Sequence, residues 1–559
     1  MNNALRFNIA DQRIQYSGMK QVTPFTRGRT SEFNHRHAAV LENYDISLTD
    51  GQISLLSDRV NDHSNLGALR NRQLRESAIL ASALSAAAVA LHGRASLTKY
   101  PEEEITKDLT NHLKRANDRT AAQIMADVLQ TTTEAFPPGE EVLIATSITE
   151  GVRAKPGYEA GGNPTIAVGA LFGKEQHRAM YGLRMPGNVT LLSMGNDVIE
   201  GTTKSVKGLH SSLTAMFLTE SNVKRHLPDI YVQRWMSGSY FEEFNPRETK
   251  LLEAAEVIAD SYQLPRVEDL SAFFLDRPRH RPAMDSLNNA GICTPVDKDG
   301  DLFPATILGH EGILFPDGRQ LNAMIGEIGG SAEWAVGVLP LVWRGGQAIG
   351  MLTSHSSLSR KDLSAERQWA ERFHFTEDEF ILIQDARFEQ KPYFSVRDIL
   401  EDPFAGGISA FGAITDNYYF PFMKGVAVNN EDNTLRVNVL TINSIGMMEC
   451  WDLCFQCRRN IRETARLMAS PKDKIVELEG HDLEKAVGEI LEDERSQRRF
   501  RIFFNNEYYP CLIPVRDKML VLQHAIEGLI ERGALDDKDR KIIDVTQKLA
   551  DHWFVPHDH

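Results

Sequence analysis

The sequence predicts a mixed α/β fold, and three observations lead there. Short apolar runs with strand character, such as EVLIATS (141–147) and SSLTAMFLTE (211–220), recur along the chain. Between them lie segments with helical periodicity, such as RETKLLEAAEVIADSY (247–262). With 42% hydrophobic residues over 559 positions, the chain can bury one or two large cores, and two or three structural units are expected.

Taken in order, residues 1 to about 60 are polar and lack sustained periodicity, so they are expected to be an irregular extension, lying over a neighbour or mobile. An alanine-rich helix follows over 66–92, whose small residues allow close packing in a core or at a subunit interface. A charged helix starts near Asp108, with Ala121, Ile124, Met125 and Val128 turned inward. PDIYVQRWMSG (228–238) alternates with period two and reads as a strand. Strand and helix patterns continue to about 450, and helical patterning then covers 453–469, 482–495, 517–533 and 537–551. The expected organisation is an extension (1–65), an α/β domain (66–455) with a break between sub-lobes near 240–265, and a mainly helical C-terminal extension (456–559), with Ser470-Pro471 as punctuation.

A net charge of -15 disfavours sequence-independent nucleic-acid binding, which needs a basic surface. No uninterrupted apolar run reaches 18 residues, so no membrane span is expected. Five cysteines are too few for a disulfide scaffold, and a reducing cytoplasm is the expected location.

The chemistry centres on Asn196-Asp197-Val198-Ile199-Glu200-Gly201-Thr202, read as a loop at a strand end. Two carboxylates three residues apart suit a hard divalent cation, Mg2+ or Mn2+, and the Thr202 hydroxyl can orient an attacking water. Arg277 and Arg279, two apart, can face one phosphate, while Asp299 and Asp301 can accept from the hydroxyls of a polyol. Taken singly, each of these has a bland reading: a capped turn, surface ion pairs, or a hairpin turn.

Together the motifs resemble, in order and over about 75–450, the class II (GlpX-type) fructose-1,6-bisphosphatases of the inositol-monophosphatase-like superfamily. ESAILAS resembles the family's E-S-A-A-L-A helix. Lys114 to Asp118 matches K-x-x-x-D, and Asp197, Glu200, Gly201 and Thr202 match D-P-x-E-G-T with valine for proline. Pro228, Asp229 and Tyr231 match P-D-x-Y, Arg277 to His280 match K-P-R-H, and Asp299-Gly300-Asp301 match D-G-D. Gly329, Gly330 and Glu333 match G-G-x-x-E-G, with Trp334 for the last glycine. The resemblance implies a layered αβαβα sandwich, with Asp118, Asp197, Glu200 and Glu333 as metal ligands. It implies Lys114, Tyr231, Arg277, Arg279, Asp299 and Asp301 for substrate. A homo-oligomer hydrolysing a phosphorylated sugar such as fructose 1,6-bisphosphate is expected, without nucleic-acid or membrane partners.

The family's G-E-G-E-x-D falls here on ATSITEG, which puts Thr146 where the first glutamate stands and keeps only Glu150. A threonine leaves one positive charge less well compensated, so either Glu150 or Glu159 moves in or the site holds fewer metals. The alternative function is a catalytically altered member that binds a sugar phosphate as a regulator or scaffold. A separate candidate, Cys450, Cys454 and Cys457, has the spacing of an iron–sulfur site and could also hold zinc with Cys511 or a histidine. The same spacing places three small apolar residues on one helix face, and that packing role is preferred.

Overall fold

The computed structural model describes the chain apart from residues 1–4, 13, 59–64, 151–163, 167–169, 181–186, 225–231, 247, 329–330, 353–392, 470–473, 479–499, 505–506 and 510–559. The fold is mixed α/β, built on two large sheets. The ten-stranded sheet runs Gln21–Pro24, Ile46–Ser57, Met448–Cys457, Thr434–Asn443, Gly407–Ala413, Leu213–Thr219, Thr190–Glu200, Val142–Thr149, Leu171–Phe172, with Ala427–Asn429 also paired to Thr434–Asn443. Among the described residues, only Val142–Thr149 and Thr190–Glu200 pair in parallel in it. The seven-stranded sheet runs Arg6–Asn8, Thr294–Asp297, Ala272–Leu275, Ala323–Ile328, Val232–Ser237, Gln347–Leu352, Phe394–Ser395.

Three cores hold these elements. Helix Arg72–His92 starts at Asn71, whose side chain accepts from the Leu74 N–H, and stops at Gly93. It packs with helix Lys107–Glu134 on one face of the ten-stranded sheet, where Ala78, Leu84, Ala121 and Met125 meet Leu192, Met194, Val437 and Leu453. Small residues bring helix and sheet unusually close: a Cβ on Gly412 would stand 2.3 Å from the Ser82 carbonyl oxygen. The other face of that sheet, through Leu213, Phe217 and Phe411, shares a core with Val232, Met236 and Met324 of the seven-stranded sheet and with helices Leu302–Ile307 and Ser331–Trp343. Helices Leu251–Ser261 and Arg281–Asn289 build a third core with Trp235, Phe274 and Ile325.

Several expectations change here. The N-terminal segment is not irregular: Ile46–Ser57 is a twelve-residue strand inside the large sheet, and Arg6–Asn8 pairs with Thr294–Asp297. The alanine-rich helix belongs to the core, and although it is long and apolar enough to cross a membrane, 83% of its apolar window is buried inside the protein. Met448–Cys457 is a strand, not part of a helix. Period-two alternation then separates the cysteines, with Cys450 in the inter-sheet core and Cys457 in the core on the opposite face, so the three thiols cannot meet at one ion. Beyond 456 the described residues comprise helix Ile461–Ala469 and strands Lys474–Leu478, Phe500–Phe504 and Glu507–Tyr509. Ser470-Pro471, Cys511 and the helical patterns at 482–495, 517–533 and 537–551 lie outside the described residues.

Candidate active site

Asp197 and Glu200 stand within the last four residues of strand Thr190–Glu200, not on a loop after it. Pairing with Leu213–Thr219 slips between them, since Asp197 opposes Ala215 and Glu200 opposes Leu213. Three steps on one strand thus match two on the other, and such a bulge re-aims side chains at a strand end. Gly201 follows with φ +72°, a conformation that favours glycine, and turns the chain into helix Thr202–Lys207.

Four carboxylates converge on that end. Asp197 is 2% exposed; burial pushes its carboxyl well above the usual carboxylate range, and Glu150, Glu200 and Asp118 push it the same way against one hydrogen bond from the Ile199 N–H. Glu200 is raised to about 8 by burial and by Asp301 and Asp299, although its Oε1 accepts from the Leu302 N–H at 2.8 Å. Asp118 comes from the long helix Lys107–Glu134, and the Thr202 hydroxyl lies 3.2 Å from its Oδ1 and 3.0 Å from the Ile199 carbonyl. That hydroxyl has one proton, so it serves one acceptor at a time.

Strand Val142–Thr149 pairs Thr146 with Met194, and Thr146 Oγ1 is buried without a hydrogen-bond partner among the described residues. Glu150, one residue past that strand, donates its N–H to the Asn196 carbonyl at 3.1 Å and raises the Asp197 carboxyl. Where Thr146 supplies no charge, Glu150 is thus the acid from the end of this strand that acts on Asp197.

At the other end, each acid of Asp297-Lys298-Asp299-Gly300-Asp301 has a cationic partner. Lys204 Nζ is 2.8 Å from Asp297, Arg234 is 2.8 Å from Asp301, and Arg277 is 3.8 Å from Asp299. Arg277 also donates to the Lys298 carbonyl. His280 is buried, with Nδ1 2.8 Å from the Leu275 carbonyl, and burial together with Arg279, Arg234 and Arg277 lowers it to about 4. It is a packed histidine flanked by three guanidinium groups. The two ends form one electrostatic site, because Asp299 and Asp301 both raise Glu200.

Lys114 lies one turn before Asp118 on the same helix, half-buried. Tyr231 and the Glu333 side chain fall outside the described residues, although Glu333 itself is in the first turn of helix Ser331–Trp343. Sequence reasoning missed Lys204, Arg234, Asp297 and Tyr418. Arg234 carried a signal, a charge in the middle of the alternating strand Val232–Ser237, whereas Tyr418 reaches Asp297 from a loop that carries no motif.

Among the described residues no three side chains of His, Cys, Asp or Glu already stand at metal-holding distances. The donor set still fits a hard cation, since buried oxygen ligands that raise one another are stabilised by a positive ion between them. A pH dependence follows. Glu200 ordinarily titrates near 4.5 and here near 8, so in EDTA its contribution is complete below pH 4.5 and is lost as pH rises to 8. His280 works the other way only below its ordinary 6.5. Between pH 6.5 and 8 Glu200 should contribute a loss on the order of 2 kcal/mol in EDTA, and Glu200→Gln should reduce the slope in denaturant titrations by that amount. A wild-type slope equal to that of Glu200→Gln would contradict it.

Comparison with known proteins gives the same direction. Residues 185–399 match the family described as bacterial fructose-1,6-bisphosphatase, glpX-encoded. A D-fructose 1,6-bisphosphatase class 2/sedoheptulose 1,7-bisphosphatase from Synechococcus sp. (strain JA-3-3Ab) is 27% identical over 161 residues, 28% of this chain and 43% of that protein. One of the same name from Synechocystis sp. (strain ATCC 27184 / PCC 6803 / Kazusa) is 22% identical over 181 residues, 32% of this chain and 50% of that protein. The chain thus spans up to about half the length of these curated relatives. Over residues 185–399, which hold Asp197, Glu200, Lys204, Arg277, Arg279, Asp299 and Asp301, it is similar to the glpX-encoded, class II fructose-1,6-bisphosphatases.

Proposed function

We propose that the chain is a divalent-metal-dependent phosphatase of sugar bisphosphates. The observation that carries the reading is the end of strand Thr190–Glu200, where buried Asp197 and Glu200 meet Asp118 and Glu150 and adjoin the loop holding Asp299 and Asp301. Asp118, Asp197, Glu200 and Glu333 would hold Mg2+ or Mn2+, with Glu150 in place of the carboxylate that Thr146 lacks. A divalent ion held by these residues would supply neutralisation of phosphate charge and a more acidic water. Thr202 would orient that water by accepting from it while its own hydroxyl proton is donated to Asp118 or the Ile199 carbonyl. Arg277 and Arg279 hold the distal phosphate, Lys114 supports the phosphate side, and Tyr231, Asp299 and Asp301 receive the sugar hydroxyls. In-line attack then releases phosphate.

The three cores, with helices outside and between two sheets, support the layered αβαβα reading of the inositol-monophosphatase-like type. Residues 66–455 are taken as the phosphatase domain, with 1–65 completing its sheets and 456–559 as an addition. A cytoplasmic homo-oligomer without nucleic-acid or membrane partners fits this function. The mutual influence of Asp118, Glu150, Asp197 and Glu200 at one strand end supports the enzyme over a non-catalytic sugar-phosphate binder.

The test is phosphate release from fructose 1,6-bisphosphate and sedoheptulose 1,7-bisphosphate with Mg2+ or Mn2+, against EDTA. Release only with the metal is expected. Arg279→Ala should raise KM by roughly ten- to a hundredfold, the loss of a charged hydrogen bond of about 1.5–3 kcal/mol, with little change in melting temperature. Binding of both sugars without release of phosphate from either would replace this reading by the non-catalytic one.

A further inference from the structure

Lys204 stands apart from the two arginines that pair with the same loop. It follows Thr202 by two residues on the helix opened by Gly201, and its side chain is only 7% exposed. Its Nζ is 2.8 Å from Asp297 Oδ2 and 3.0 Å from the Tyr418 hydroxyl, which itself donates to Asp297. A Cβ on Gly300 would lie 3.3 Å from that Nζ and 3.8 Å from Glu200 Oε1, so ammonium and carboxylate face the same point of the loop. An ammonium is a compact, strongly hydrated charge, and burying it is costly unless anions surround it. The anions here are the acids of the site itself. Thr146 offers a buried hydroxyl and no charge. Relative to a site with a carboxylate at 146 and no lysine at 204, this one has one negative charge fewer and one fixed positive charge more.

We propose that Lys204 is a built-in counter-cation of the site: between Asp297 and Glu200 its ammonium supplies the compensation that a further divalent ion would otherwise supply, and it thereby sets how many such ions the chain holds. The inference rests on the metal-dependent reading above. A lysine that served only as a buried ion pair would affect folding through Asp297 and leave divalent-ion binding unchanged.

The experiment is Mn2+ titration by calorimetry, with thermal melting in EDTA and in Mn2+, on the full chain and three variants. Lys204→Met should bind one more Mn2+ per chain than wild type, or the same number at least tenfold more tightly, and Mn2+ should raise its melting temperature by more. The pair Lys204→Met with Asp297→Asn removes one charge of each sign and should return binding to the wild-type level. If Lys204→Met does not fold, Lys204→Gln is read in its place, since it keeps a donor for Asp297 and Tyr418 without the charge. Equal Mn2+ number and affinity in wild type and the Lys204 variants overturns the proposal, and metal-dependent phosphate release by that wild type leaves the phosphatase reading standing. Mn2+ bound by Lys204→Met but not by wild type supports the counter-cation and ends the metal-dependent reading of the native site. Indifference of every form to Mn2+ ends both.

Discussion

Asp197→Asn is expected to abolish metal-dependent phosphate release and, in the same protein stripped of divalent ions, to raise its melting temperature at pH 8. The amide keeps the shape of the side chain and removes the ligand charge. Loss of one preorganised electrostatic element costs about 10²–10³ in kcat, and loss of a metal ligand should cost at least that. The gain in stability has the same origin. Burial and the carboxylates of Glu150, Glu200 and Asp118 all disfavour a charge on Asp197, so a neutral side chain relieves what the native protein tolerates without metal. Phosphate release and melting in EDTA, measured on one preparation, check both halves. Turnover within a factor of three of wild type would remove Asp197 from the site.

Glu76→Gln should be as damaging to stability as Asp197→Asn is to turnover. Glu76 is fully buried in helix Arg72–His92, and its carboxylate accepts from Arg36 Nε at 2.9 Å and Arg72 Nε at 2.8 Å, with His37 Nε2 at 3.2 Å. Burial alone would raise this acid, but the hydrogen bonds from His37 and Arg36 outweigh it and hold it at about 2. Removing one charge of a buried, multiply bonded cluster costs about 3–5 kcal/mol, because the cations left behind lose their partner. The denaturation midpoint should fall accordingly, with kcat unchanged where the variant is folded. The sign of the pH effect is opposite to that of Glu200. Stability from Glu76 is present above its ordinary 4.5 and is lost as pH falls to 2, and Glu76→Gln should lack that acid limb. A midpoint within about 1 kcal/mol of wild type would show the cluster to be dispensable.

The same residue shows what could be read from the chain alone. The E-S-A helix was legible because alanines and apolar residues recur at helical spacing, but the role of Glu76 was not, since Arg36 lies 40 positions away. Strand Ile46–Ser57 was missed because its polar residues break the alternation of its buried ones. Cysteines four and then three apart fit a helical face and not one face of a strand, so the spacing within Met448–Cys457 points away from the strand it forms. The acids of the site were legible as motifs. Their partners were not: Lys204 meets Asp297 across 93 positions and Tyr418 meets it across 121, and no local spacing encodes such pairs.

The strand Ile46–Ser57 also sets a schedule. Its inner neighbour is Met448–Cys457, and Thr49 Oγ1 donates to the Cys454 carbonyl across 405 positions. At ribosomal rates of about 5–20 residues per second, roughly 20–80 s separate the synthesis of the two strands. Through that interval the first strand has its N-terminal neighbour but an open edge on the other side, with Ile46, Leu48 and Ile53 still without the core that later covers them. The nascent chain therefore carries an adhesive edge throughout that interval, and chaperone binding to it while the intervening residues are made is the expected outcome.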